Sequence, residues 1–302
     1  MSGIKEIREH IESVRSTQKV TNAMYLISST KMRRAKEDLA KTRPFFDALS
    51  GEIEQIFQHA GAINSPYFHN GDADDPRQPG TYAYLVITAD RGLAGAYNQN
   101  VIQETLRRLE KHPDSRLFVV GGNGRHYFSA HGVPVEESFH YAAQSPTLQR
   151  AREITALLLD LFDRKEISKL FMIYTDFSGV EMKVHTARLL PLENERFDTG
   201  KGYFREMRYE PSPEAVLEKV VPAYVTGFLY SAMVDSFCAE QNARAEAMDA
   251  ANQNEEDLLH ELQLEYNHER QGAITSEITE VSAGARSKKN HSGKGAQQHA
   301  HR

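Results

Sequence analysis

Two long stretches free of helix-breaking residues, one at each end of the chain, limit the fold most strongly. Residues 223–283 contain no proline and only two glycines, Gly227 and Gly272. Their apolar residues recur at intervals of three and four, the spacing of one face of an α-helix. They are Tyr224, Phe228, Ala232, Leu258, Leu262, Tyr266, Ile274, Ile278 and Val281. A helix of this length spans roughly 90 Å, more than one small domain, so it needs a partner.

The partner that fits is the opposite end of the chain. Residues 3–57 contain one proline, Pro44, and an apolar seam with heptad spacing. The seam consists of Ile4, Ile7, Ile11, Val14, Gln18, Thr21, Tyr25, Ser28, Met32, Ala35 and Leu39. Residues 13–36 carry six Lys or Arg and no acid, whereas residues 239–282 carry eleven Asp or Glu and two Arg. Opposite charge favours this pairing, and because a globular middle joins the stretches, we predict an antiparallel two-helix coiled coil.

The predicted pairing leaves one end of the last helix without a partner in this chain. It places Ile4, Ile7 and Ile11 of the first helix against Leu258, Leu262 and Tyr266. The overhang beyond them still carries an apolar stripe, formed by Ile274, Ile278 and Val281. Such a stripe on an isolated helix end is poorly stable in water. We therefore expect other chains to enclose this tip, and we interpret the three residues as an apolar bearing.

Between the two stretches, short β-branched runs alternate with helical segments. Residues 60–80 are rich in turn-forming dipeptides and predict a linker loop. Strands are predicted at 82–88, 116–120 and 169–174, with an antiparallel edge strand at 180–190. Helices are predicted at 98–111, 125–131 and 147–165. This alternation predicts an α/β fold in which a central Rossmann-like domain carries a mostly parallel sheet.

No recognised nucleotide, metal or catalytic pattern occupies this domain. Val119-Val-Gly-Gly-Asn-Gly124 follows a strand and opens a helix, but Tyr127 stands where a dinucleotide fingerprint needs its third glycine. A phosphate-binding Gly-x-x-x-x-Gly-Lys loop is absent from the sequence, so we expect no cofactor and no direct nucleotide binding. The histidines lack metal-ligand spacing, and Asp90 beside Arg91 lacks a neighbouring nucleophile or base. We interpret that pair as structural and expect no catalytic residue.

Composition excludes further classes of protein. The net charge of −6 argues against nucleic-acid binding. The single cysteine, Cys238, is interpreted as a buried apolar residue in a reducing compartment. No apolar run approaches the ~20 residues of a membrane-spanning helix, and the first residues predict a charged helix, not a signal peptide.

Four motifs follow one another along the chain. The first is Val20-Thr-Asn-Ala-Met24-Tyr-Leu-Ile-Ser-Ser-Thr-Lys31-Met-Arg-Arg-Ala35, and the second is Thr88-Ala-Asp-Arg91-Gly-Leu-Ala-Gly95-Ala-Tyr-Asn98. The third begins Tyr209-Glu210-Pro211-Ser-Pro, and the fourth covers residues 239–248 and 266–280. Together, over residues 2–285, they resemble the gamma subunit of F-type ATP synthases. Asn22, Ala94 and Gly272 depart from the usual lysine, cysteine and alanine of that family.

The resemblance implies a function and a set of partners. It implies a single-copy rotor, which an ion-driven membrane c-ring turns and which forces the catalytic beta subunits through their nucleotide states. The other implied partners are the alpha subunits of the same hexamer and the epsilon subunit, at the cytoplasmic face of a bacterial plasma membrane. The resemblance assigns ring contacts to Met24, Lys31, Arg33, Arg34, Arg244, Arg270, Gln271, Thr275 and Glu277. It assigns the foot near the c-ring and epsilon to Tyr209 and Glu210.

The predicted organisation has five parts. They are a coiled-coil helix at 1–59, a linker at 60–80, the Rossmann-like domain at 81–211, a coiled-coil helix at 212–285 and a basic tail at 286–302. The tail has no acid and no large apolar residue, so it is predicted to be disordered. The residues alone leave two alternatives open, a nucleotide-dependent enzyme and a non-enzymatic coiled-coil scaffold with an α/β interaction domain. They also leave open whether the coupling ion is a proton or sodium.

Overall fold

The computed structural model of the chain describes residues 2–60, 65–69, 81–177, 182–193, 197 and 209–295. The helices are α1 (Ser2–Ala60), α2 (Tyr97–Lys111), α3 (Gly122–Ala130), α4 (Leu148–Asp163) and α5 (Pro213–Gly295). The strands are β1 (Phe68–His69), β2 (Tyr82–Ile87), β3 (Arg116–Val120), β4 (Lys169–Phe177), β5 (Met182–Leu190) and β6 (Leu192–Glu193). The chain divides into a coil unit, residues 1–25 with 248–302, and a sheet unit, residues 26–247.

In the coil unit, the first turns of α1 pack antiparallel against α5. Ile11 and Val14 are buried against Leu262, and Ile7, Leu259 and Tyr266 complete the cluster. Further along α1, Thr21 Oγ1 lies 2.5 Å from Asn252 Oδ1 and 3.0 Å from Glu255 Oε2. The residue numbers fall on α5 as they rise on α1, which confirms the predicted antiparallel coiled coil.

One residue of the predicted pairing was wrong. Leu258 is 36% exposed, and Leu259 takes its place beside Leu262. The seam of α5 therefore runs through Glu255, Leu259, Leu262 and Tyr266, which keeps the alternation of four and three residues. Leu258 lies about 100° around the helix from Leu259 and so points away from that seam.

The sheet unit holds a four-stranded sheet in the order β3-β2-β4-β5. β2 pairs in parallel with β3 and β4, and β5 pairs antiparallel with β4 at the edge, as predicted. Successive residues of a strand point to opposite faces. Tyr84 and Val86 accordingly join a core with residues of α2 and α3, whereas Leu85 and Ile87 join one with residues of α1, α4 and α5.

Both long helices contribute to the core on one face of the sheet. Ile53 of α1 and Leu217 of α5 are fully buried there. A Cβ atom at Gly227 would lie 2.0 Å from Phe46 Cδ1, so only glycine allows the Phe46 ring to lie this close to α5. Cys238 is buried in the same core, which confirms its interpretation as an apolar residue. Burial raises the pKa of the Cys238 thiol to about 11.

The structure differs from the sequence prediction at short or terminal elements. β1 lies within the predicted linker and pairs in parallel with β6, but two residues are too few to give a periodic signal. α5 continues through residues 286–295, which were predicted to be disordered. Extending an existing helix costs much less than nucleating one, and no proline interrupts this segment. Residues 61–64, 70–80, 180–181 and 296–302 of the predicted linker, edge strand and tail lie outside the described residues.

The boundaries of the five predicted parts remain a prediction, because a helix end does not by itself mark the limit of a domain.

None of the helices among the described residues combines the length and the apolar content needed to cross a membrane.

Candidate functional site

The last described side chains of α5 form an exposed apolar stripe. Ile274, Ile278 and Val281 are 47%, 61% and 68% exposed, whereas Leu262, three turns earlier, is 7% exposed. Side chains of this size are normally buried, and their concentration on one helix end is typical of an interaction surface.

The charged residues predicted beside this stripe share its face. At about 100° per residue, Arg270, Ile274, Glu277 and Val281 fall within about 60° of one another around α5. Arg270, Gln271, Thr275 and Glu277 are all exposed. Thr275 Oγ1 donates to the carbonyl of Gln271 at 2.9 Å, so this hydroxyl is bonded within its own helix. The tip therefore presents apolar side chains with one basic and one acidic neighbour on one face.

The basic residues predicted on α1 are exposed as well. Lys31, Arg33 and Arg34 are exposed in the sheet unit, and Met24 is half-buried in the coil unit. Arg33 lies 3.9 Å from Glu37, but both side chains are largely in solvent, so this ion pair contributes little. These side chains are available to a partner with negative charge.

Arg244 differs from the other predicted ring contacts because it is buried. Its Nη1 lies 2.6 Å from Glu240 Oε1, and the two side chains are 11% and 3% exposed. Its Nη2 donates to the carbonyl of Gly92 at 3.1 Å. Burial raises the pKa of Glu240, and the bond from Arg244 opposes that rise. The guanidinium thus stabilises a contact between α5 and the loop after β2.

The same loop is anchored from the other side by Asp90. Its carboxylate accepts hydrogen bonds from the backbone N–H groups of Gly122, Ala143 and Gln144, at 3.1, 3.2 and 2.8 Å. Thr88 Oγ1 also accepts from the Gly124 N–H, at 3.1 Å. These bonds support a structural role for Asp90.

Sequence reasoning missed the side chain at the apex of this loop. Leu93 has a φ of 62°, which is in the left-handed region, and it is 64% exposed. The only signal was a large apolar residue close to two glycines, Gly92 and Gly95. Leu93 joins the residues available for contact with another chain.

The predicted foot begins at the edge of a segment outside the described residues. Tyr209 is half-buried and Glu210 is exposed, just before α5. Burial raises the pKa of Tyr209, and the nearby charge of Glu52 adds to the rise. This contact places the start of the third motif near the carboxyl-terminal part of α1.

Within the described parts of the chain, no group of three or more His, Cys, Asp or Glu side chains is arranged to hold a metal ion.

Comparison with known proteins gives consistent matches over nearly the whole chain. A family model described as ATP synthase matches residues 3–287. The ATP synthase gamma chain of Acetivibrio thermocellus is 40% identical over 294 residues, covering 94% of this chain and 99% of the relative. That of Caldanaerobacter subterraneus is 37% identical over 294 residues, with the same coverage. These names favour the rotor-subunit interpretation over the coiled-coil scaffold.

Solved structures show that the fold is shared. A chain of the Euglena gracilis mitochondrial ATP synthase, from the OSCP/F1/c-ring assembly in rotational state 3, matches with a TM-score of 0.65 at 17% identity. The match covers 97% of this chain and 96% of that one. A chain of the Tetrahymena thermophila central stalk and c-ring matches with a TM-score of 0.55 at 21% identity, covering 77% and 99%.

Proposed function

This chain belongs to the ATP synthase gamma-chain family, and we propose that it is the shaft that couples c-ring rotation to the alpha and beta hexamer. The observation that carries this proposal is the exposed stripe of Ile274, Ile278 and Val281 on a helix that is otherwise buried along its seam. A shaft needs such a surface where it enters its housing.

The chemistry of the tip suits a rotating contact. Apolar contacts are non-directional, so a turning stripe exchanges one set of neighbours for a similar set with little change in free energy. Arg270 and Glu277 on the same face add charge pairs that break and form again against successive subunits. Gln271 and Thr275 lie further round the exposed surface, and we assign them hydrogen bonds to the ring. Met24, Lys31, Arg33 and Arg34 are proposed to contact the ring from α1.

The two-helix packing suits the transmission of torque. Ile11, Val14 and Leu262 form a buried contact within the coil unit, and the polar contacts of Thr21 with Asn252 and Glu255 set one register of the helices. A slip of register would break these two contacts and displace Leu262 from Ile11 and Val14, so the packing favours one fixed alignment of the two helices.

The remaining partners follow from the family. We propose that the α/β domain and the foot at Tyr209 and Glu210 rest with epsilon on the c-ring. One copy serves each complex, peripheral to a bacterial plasma membrane on its cytoplasmic side. The chain itself is proposed to be non-catalytic and to bind no nucleotide, with catalysis in the beta subunits.

Substituting the apolar stripe tests this proposal. We expect Ile274→Ser combined with Ile278→Ser to lower ATP synthesis by energised membrane vesicles, while the far-UV circular dichroism and the urea midpoint of the isolated chain stay unchanged. Leu264→Ser is the matched control, because Leu264 is 58% exposed on the same helix but lies outside the stripe. Equal rates of ATP synthesis in the double variant and in Leu264→Ser would contradict the role of the stripe as an apolar bearing.

The charged neighbours of the stripe are tested in the same vesicles. We expect Arg270→Ala and Glu277→Ala to lower coupled synthesis more than they lower the stability of the isolated chain. Glu269→Ala is the matched control, since Glu269 is exposed about 100° around the helix from Arg270. If the two variants unfold outright, or if stable variants couple normally, their assignment as ring contacts is wrong.

A further inference from the structure

A cavity of about 580 Å³ in the sheet unit has no role in the proposed rotor function. It lies between α1, α5 and the carboxyl end of β4. Its volume falls within the ~300–1,000 Å³ typical of pockets that hold small molecules. The chemistry of its walls decides what kind of molecule it suits.

Aromatic rings form much of the wall. They come from Phe46 on α1, Phe177 on β4, and Tyr224 and Phe228 on α5. Aromatic faces attract cations as well as apolar groups. The Phe177 ring already shows this, because Lys36 Nζ lies 4.2 Å from its centroid.

Three carboxylates, of Asp47, Asp176 and Asp235, and one guanidinium, of Arg43, line the cavity, so its wall carries an excess of negative charge. Burial raises the pKa of Asp235 to about 6, and the charge of Asp176 adds to that rise. Arg43 and Lys36 act in the opposite direction, as does a hydrogen bond from Ser231. Arg43 also lies 3.8 Å from Asp47 on the rim, so its charge is divided between these carboxylates. A cation inside the cavity would relieve the repulsion between Asp176 and Asp235.

We propose that this cavity binds a small organic ammonium cation, whose charged group lies near Asp176 and Asp235 and whose apolar body packs against Phe46 and Phe228. A strongly hydrated metal ion gains little from the aromatic part of the wall, and the excess of carboxylates disfavours an anion. The combination of an apolar wall with acidic groups selects a cation that carries an apolar body.

A matched pair of ligands tests the requirement for charge. Isothermal titration calorimetry of the full-length chain at pH 7.5 and constant ionic strength compares 2-phenylethylammonium with 2-phenylethanol, which is neutral and of similar size. We expect the ammonium to bind at least about tenfold more tightly. Equal affinity of the two ligands, or no binding of the ammonium up to on the order of 10 mM, overturns the proposal.

Substitutions then locate the site. We expect Asp235→Asn to weaken ammonium binding by at least about tenfold, whereas Asp249→Asn, at an exposed aspartate of the same helix, changes it by less than about twofold. Gly227→Ala places a methyl group against the Phe46 ring, and both residues line the cavity, so it should weaken the binding of both ligands. Unchanged ammonium affinity in the Asp235→Asn chain places the cation elsewhere and refutes the assignment.

The pH dependence gives an independent readout. Because Asp235 takes up a proton as the pH falls through about 6, we expect ammonium binding to weaken several-fold between pH 7.5 and pH 5. His185 Nε2 lies 3.9 Å from Asp176 Oδ2, so the series is repeated with His185→Gln to remove the imidazole. The weakening should persist in His185→Gln and shrink in Asp235→Asn, and the opposite result contradicts a site at Asp235.

Discussion

Replacing Arg244 by methionine breaks a buried ion pair within α5 and the hydrogen bond that ties α5 to the loop after β2. Methionine keeps much of the apolar stem of the arginine, so the change removes mainly the charge and its hydrogen bonds. The lost contacts are the 2.6 Å ion pair with Glu240 and the 3.1 Å hydrogen bond to the carbonyl of Gly92.

The expected cost is large because the glutamate left behind is almost fully buried. Removing one partner of a buried ion pair typically costs about 3–5 kcal/mol, most of it from the uncompensated charge. For a unit of this size, each kcal/mol lowers the Tm by about 2–4 °C, which gives a drop of roughly 6–20 °C.

The loss should depend on pH with a defined sign. The folded-state pKa of Glu240 is already raised by burial, and without Arg244 it rises further. A carboxyl group whose pKa is higher in the folded state binds protons more strongly there, so folding becomes relatively more favourable as the pH falls. The free energy of unfolding lost by Arg244→Met should therefore be greatest near pH 8 and smaller near pH 5.5.

Urea unfolding followed by far-UV circular dichroism measures this loss, and two variants control it. Arg107→Met removes an arginine that is 55% exposed and 2.8 Å from Glu104, so it should cost less than about 1 kcal/mol. Glu240→Gln combined with Arg244→Met removes both charges and should recover part of the stability. If Arg244→Met costs no more than Arg107→Met, or the double variant is no more stable than the single one, the pair is not an energetic anchor.

Three further predictions use matched or internal controls. Leu262→Ala should lower the stability of the coil unit by about 2–5 kcal/mol, whereas the exposed Leu264→Ala should change it by less than about 0.5 kcal/mol. Amide hydrogen exchange measures both losses, and equal losses would show that Leu262 does not lie in the buried seam. Asp90→Asn weakens three hydrogen bonds to backbone N–H groups and should cost about 1.5–3 kcal/mol in urea, against about 0.5 kcal/mol or less for the exposed Asp114→Asn. Cys238, with its pKa raised to about 11, should react with a disulfide reagent at pH 8 at least roughly a hundredfold more slowly than in the urea-unfolded chain, and an equal rate would show that the thiol is accessible.

The long elements could be predicted from the sequence because their patterns repeat many times. Every predicted seam position of α1 is buried or half-buried. A repeat that holds over many turns assigns the buried face more reliably than any single residue does. The parallel strands were predictable for a related reason, because β-branched runs bounded by turns have few other stable environments. The exchange of Leu258 for Leu259 shows the limit of such patterns, as two adjacent leucines fit an apolar period about equally well.

What the sequence could not supply was the partner of each polar side chain. Arg244 belongs to a motif whose family role suggested a ring contact, yet its guanidinium lies inside the sheet unit. Its partner on the loop, the carbonyl of Gly92, lies 152 residues away in sequence and carries no side-chain signal. β1 and its pairing with β6 were missed because each strand has only two residues, which is too few to give a periodic signal.

The second motif and the first part of the fourth meet in the structure, which changes how both are interpreted. Ala89, Ala94, Ala239 and Ala243 pack in one cluster, and small side chains there let the loop lie close to α5 beside the Glu240 and Arg244 pair. In the proposed shaft, this joint carries torque between the sheet and α5, so its residues need to be rigid and need not touch another chain. The residues that meet the ring should then be the exposed ones, and Arg270 and Glu277 are better tests of coupling than Arg244.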